Sequence, residues 1–133
     1  MTSQREHALS LLARARDDLY VVRRLGAYAD APVRVLGFHA QQVAEKTIKA
    51  VLSGAGVPYP RTHNLDMLLS LLQARGLGTP PVGADLGLLT PFAVMLRYED
   101  FPSDDQPLCG PGELVGLAEQ MLAWAEHVLA TSF

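Results

Sequence analysis

Residues 38–52, FHAQQVAEKTIKAVL, set a histidine, two glutamines, a glutamate and two lysines into an otherwise apolar helical pattern, and YPRTHNL follows at residues 59–65. At 100° per residue, His39, Gln42, Glu45, Lys46 and Lys49 fall on one arc, and Arg61 and His63 arrive just after the same segment. Guanidinium, ammonium and imidazole donors grouped in this way suit phosphate. Lys46, Lys49, Arg61 and His63 are therefore candidate nucleotide or phosphate ligands. A solvated helix face has the same composition, and neutral glutamines are common where helices meet. His39 and Gln42 are accordingly candidates for a dimer seam or the edge of a cleft.

Other chemistries find little support in the chain. No Gly-rich phosphate loop and no G-x-G-x-x-G after a strand is present. The four histidines, His7, His39, His63 and His127, show no i, i+4 pairing and no H-E-x-x-H, so no zinc site is expected. The acidic run EDFPSDD (Glu99, Asp100, Asp104, Asp105) lacks calcium-loop spacing and reads as a solvated turn. Cys109, the single cysteine, lies in QPLCGPG and reads as a tolerated loop residue, with no disulfide partner in the chain. No metal and no cofactor is implied.

The elements that must position the stripe are helices, because the apolar residues recur at helical and not strand spacing. A first helix over about residues 3–29 puts Leu9, Leu12, Leu19 and Val22 on one side and Arg14, Arg16, Asp17, Arg23 and Arg24 on the other. Asp30-Ala31-Pro32 ends it, since proline disfavours helix in the residue before it. The second, over about 33–53, turns Leu36, Ala40, Val43, Ala44, Thr47 and Val51 to the core, and carries Glu45 and Lys49 as an i, i+4 pair. SGAG stops it with glycine. Asn64 is placed to cap a third helix with a Leu65, Leu68, Leu69, Leu72 stripe. A fourth segment, about 84–98, aligns Leu86, Leu89, Ala93 and Leu96, with Pro91 either kinking it or opening a new helix. The last, about 111–130, begins at Pro111 and has the most regular period: Leu114, Leu117, Ala118, Met121, Leu122, Ala125, Val128 and Leu129. An all-α fold is expected, an up-and-down bundle of four or five helices forming one domain over residues 1–133.

The chain has 133 residues, enough for one compact domain with a real core. Its formal net charge of −3 argues against a strongly basic, sequence-indifferent nucleic-acid binder while leaving room for a local basic patch. The charged N-terminal stretch has no secretory h-region, and no run of apolar residues is long enough to span a membrane. A cytoplasmic protein without membrane contact is expected.

Three stretches together, FHAQQVAEKTIKAVL, GVPYPRTHNLDMLLSLL and LRYEDFP, resemble the HEPN family (higher eukaryotes and prokaryotes nucleotide-binding domain). That family's second helix carries an AQQAAEKALKA-like run, followed by a Gly-x-x-x-Pro-x-Thr-His-x-Leu-like connection and an Arg-Tyr-Pro-like ending to a later helix. The likeness extends over nearly the whole chain. It adds Arg97 and Tyr98 to the candidate nucleotide-binding residues, Tyr98 as a surface on which a base could stack. It implies a homodimer whose cleft holds nucleotide or RNA, and a minimal nucleotidyltransferase as partner, in some members as a toxin–antitoxin pair. The helical C-terminal part of kanamycin nucleotidyltransferase is similar to the same module.

Active members of the family are metal-independent ribonucleases with Arg-x(4–6)-His near the start of the last long helix, and here the chain departs from the pattern. No histidine lies between Arg97 and His127. Arg34 and His39 do spell Arg-x4-His, but at the start of the second helix. With nine arginines and four histidines, such a match is expected by chance. No catalytic residue is assigned. The sequence thus supports a binding module for a nucleotide or a nucleotidyltransferase partner, and as its alternative a ribonuclease with a degenerate site, using His39 or His63 with Arg34, Arg61 or Arg97.

Overall fold

A computed structural model describes residues 3–97 and 110–132. Four α-helices, α1 (Gln4–Gly26), α2 (Val33–Gly54), α3 (Leu65–Ala74) and α4 (Pro111–Ser132), are joined by a 3₁₀ helix over Gly83–Arg97 between α3 and α4. Tyr98, the acidic run and Cys109 lie outside the described residues, as does the side chain of Arg97.

Local signals set the helix ends. The Ser3 side chain accepts from the Glu6 N–H and Asn64 from the Met67 N–H, capping α1 and α3. Gly56, at φ 75°, follows α2, and Gly76, at φ 66°, follows α3. At both, the next residue's N–H reaches back to close the helix, Val57 to Leu52 and Leu77 to Leu72, each at 2.9 Å. These are Schellman closures, which place their second residue in a left-handed conformation that glycine adopts without steric cost.

α2 runs through the middle and packs against α1, α3, α4 and the 3₁₀ helix. Its expected inward arc, Leu36, Ala40, Val43, Ala44, Thr47 and Val51, is buried, and the Thr47 hydroxyl is satisfied by the Val43 and Ala44 carbonyls. The α4 stripe is buried as well, except Val128, which packs against the core from its edge.

Two expectations need correction. Leu9 is 46% exposed, while Ala8, Leu11, Leu12, Ala15, Leu19 and Val22 form the buried face of α1. At 100° per residue Leu9 lies about 110° from the centre of that face. The fourth segment buries Leu86, Leu89 and Phe92, with Ala93 only half-buried. A 3₁₀ helix has 3.0 residues per turn, so residues three apart stack directly above one another. The reading at 3.6 residues per turn therefore moved the stripe from Phe92 to Ala93. Phe92 lies against Gly37 of α2, where a Cβ would stand 2.3 Å from its ring, so glycine permits this close crossing.

Exposed ion pairs flank the α1–α4 seam, Arg16 to Glu126 at 3.2 Å and Arg23 to Glu119 at 3.3 Å. Both are well solvated, and pairs of this kind contribute at most about 1 kcal/mol.

Candidate functional site

The polar stripe of α2 is only partly solvated, and its carboxylate is buried. Gln41 is fully buried and Glu45 is 4% exposed, and the lysines beside them are largely covered. The stripe divides into two ionic clusters, each organised by one carboxylate.

Asp18 of α1 organises the first. It sits about 70° to one side of the buried face of α1, on the flank toward α2, at 100° per residue. His39 Nδ1 donates to Asp18 Oδ1 at 2.9 Å, and Lys46 Nζ donates to Asp18 Oδ2. Burial pushes the Asp18 carboxyl upward, but the hydrogen bonds from His39 and Lys46 and their charges outweigh it and hold the group below the ordinary carboxylate value.

Glu45 organises the second. Lys49 Nζ donates to Glu45 Oε2 at 3.0 Å, so the i, i+4 pair expected from the sequence is formed, but inside the protein. Glu45 Oε1 accepts from His63 Nδ1 at 2.8 Å and from Gln41 Nε2 at 3.2 Å. Gln41 Nε2 also donates to the His63 carbonyl, and Gln41 Oε1 accepts from Gln42. The helix thereby holds the 59–64 connection at both the side chain and the backbone of His63. Lys49 also lies 5.6 Å from the centre of the Tyr59 ring, and the Tyr59 hydroxyl is hydrogen-bonded to His7 Nε2. Burial, with the Glu45 charge added, raises the Tyr59 hydroxyl above its ordinary value.

Beside the second cluster is a cavity of about 330 Å³, lined by Gln41 of α2, Thr62, His63 and Asn64 of the connection, Leu65 and Asp66 of α3, and Thr90 and Ala93 of the 3₁₀ helix. An ionised carboxylate only accepts, so the His63 proton shared with Glu45 is on Nδ1, and Nε2 of the neutral ring is an acceptor. The His63 side chain is 56% exposed. Arg61, one residue before the lining, is exposed, with no ion pair among the described residues.

Of the residues picked out from the sequence, His63 lines the cavity, Arg61 adjoins it, Lys49 stands behind it on Glu45, and His39 and Lys46 meet Asp18 elsewhere. Gln42 connects to the second cluster through Gln41. Asp18, Gln41, Asp66 and Thr90 join these sites without any mark in the sequence. Their types carry no signal alone, and the elements that bring them to these sites are remote from one another in sequence. Among the described residues no three His, Cys, Asp or Glu side chains gather as a metal site.

A family model for the HEPN domain matches residues 8–131. The chain belongs to the HEPN family. No curated protein and no solved structure matches it significantly. The all-helical architecture is that of the HEPN fold. Within this HEPN domain, Arg34 and His39 do not form a unit. Five residues apart, they point about 140° from one another around α2, and His39 turns to Asp18 while Arg34 is exposed. Among the described residues no helix is long and apolar enough to cross a membrane.

Proposed function

We propose that this HEPN domain is a nucleotide-binding module whose ligand enters the cavity between α2, the 59–66 segment and the 3₁₀ helix. The observation that carries the reading is a cavity about 330 Å³ in volume, with His63 locked by Glu45 at its wall and, next to it, the exposed Arg61, which has no ion pair among the described residues. That volume is at the lower end of small-molecule sites, roughly 300–1,000 Å³, and suits a mononucleotide. Arg61 takes the phosphate, the bidentate geometry a guanidinium offers. Lys46 and Lys49 act indirectly, by neutralising Asp18 and Glu45 and so fixing the walls. Arg97 and Tyr98 follow the lining residues Thr90 and Ala93 in the chain and complete the candidate set. The module works as a homodimer with a minimal nucleotidyltransferase partner, as the family likeness implies, in a toxin–antitoxin arrangement.

Calorimetric titration of the purified protein with ATP, GTP and a short RNA tests the reading. Saturable binding is expected, weakened about tenfold or more by Arg61→Ala, the effect of losing a charged hydrogen bond. Absence of binding to all three ligands refutes it.

One observation favours a second reading, the metal-independent ribonuclease. A carboxylate on Nδ1 and an available Nε2 form the arrangement of a general base, here Glu45 and His63. RNA cleavage abolished by His63→Ala would establish that reading, and absence of cleavage by the wild type would end it.

A further inference from the structure

The hydrogen-bonding groups around the cavity are unevenly free. Gln41 uses both amide hydrogens, on Glu45 and on the His63 carbonyl, and its oxygen accepts from Gln42. Asn64 Oδ1 accepts from the Met67 N–H as the cap of α3, which leaves its NH₂ as a donor. The Asp66 carboxylate has no hydrogen-bond or ionic partner among the described residues and is exposed. Thr62 Oγ1 accepts from the Asn64 N–H, and the Thr90 hydroxyl is exposed and can turn either way. His63 Nε2 is an acceptor in the neutral ring.

Beside the His63 Nε2 acceptor and the adaptable Thr90 hydroxyl, the free set thus includes one amide donor and one carboxylate two residues apart in the chain, both lining the cavity. Resting on the nucleotide-binding reading, we infer that the cavity selects guanine. Guanine is the one standard base whose Watson–Crick edge carries two adjacent donors, N1–H and the 2-amino group, beside an acceptor, O6. The Asp66 carboxylate accepts from both donors, and the Asn64 amide donates to O6. Adenine places an acceptor, N1, where the carboxylate needs a donor. Cytosine has a single amino donor flanked by an acceptor, and uracil has one ring N–H between two carbonyls. Each would leave Asp66 partly unpaired in the complex, and an unpaired polar group is what makes such sites discriminate.

The test uses the full chain and four purine monophosphates, GMP, IMP, AMP and XMP, titrated into wild type and Asp66→Asn. Wild type is expected to bind GMP about 10- to 100-fold more tightly than AMP, the worth of a charged hydrogen bond. IMP, which lacks the 2-amino group, falls between them. In Asp66→Asn the new amide can donate to the 2-oxo group of XMP, so XMP gains affinity while GMP loses it. Asp66 is exposed, so the variant is expected to fold, and its circular dichroism checks this. GMP binding no better than AMP, or Asp66→Asn leaving the order of GMP and XMP unchanged, overturns the guanine inference while nucleotide binding stands. No binding of any nucleotide overturns both.

Discussion

Glu45 is the residue on which most of the α2 network converges, and its removal has a calculable consequence. In Glu45→Ala the Lys49 ammonium, whose side chain is 13% exposed, loses its only ionic partner among the described residues. The buried Gln41 amide keeps the His63 carbonyl but loses a second acceptor, and the His63 ring loses its anchor. Breaking one partner of a buried pair costs about 3–5 kcal/mol, because the remaining charge stays desolvated. Against a total stability of about 5–15 kcal/mol this is a large fraction. For a chain of this size it lowers Tm by roughly 10–20 °C. Urea unfolding followed by circular dichroism at 222 nm, supported by a thermal scan, measures it. The control is Glu45→Leu with Lys49→Met, which removes both charges and keeps the volume; it should lose much less than Glu45→Ala, since well-packed apolar pairs can replace buried ion pairs. A loss below about 1 kcal/mol for Glu45→Ala, the level of a surface ion pair, would refute the assignment of this cluster to the interior.

Two further outcomes follow from the packing and the charges. Gly37→Ala should destabilise by about 1–3 kcal/mol, because its Cβ meets the Phe92 ring, and the loss should shrink when Phe92 is shortened to Leu; thermal unfolding of the single and double variants decides this. The Asp18 carboxyl titrates lower in the folded than in the unfolded chain, so its contribution is present above the unfolded value of about 4 and disappears as pH falls through the folded value. Urea midpoints measured from pH 6 down to pH 2 should therefore decline less steeply in Asp18→Asn than in wild type.

Much of the bundle is legible in the residues because helix formation is local. The 3.6-residue period marks the inward arcs of α2 and α4, Asn64 caps where its side chain can reach an N–H three residues on, and Gly56 and Gly76 stop helices where a left-handed residue is required. The same locality explains the failures. A period read at 3.6 cannot anticipate a 3₁₀ segment, so it picks Ala93 in place of Phe92, and Leu9 reads as core because a leucine's type does not say which face of its helix the neighbours cover.

What the sequence determined by itself was the four α-helices to within a few residues at their ends, the family likeness and the polar stripe of α2, including the Glu45–Lys49 pair that one helix makes alone. Only the tertiary structure decided what that stripe faces. Asp18 reaches His39 across 21 residues and Lys46 across 28, and Gln41 reaches the His63 carbonyl across 22. A helical wheel fixes the angle at which a side chain leaves its own axis, but burial depends on the neighbouring helix that crosses there. The stripe whose cations could serve a ligand, a seam or plain solvent is, once α1 and the 59–64 connection close against it, a half-covered frame of paired charges. The groups without a partner among the described residues, His63 Nε2, the Asn64 amide and Asp66, line the cavity beside it, with Arg61 adjoining.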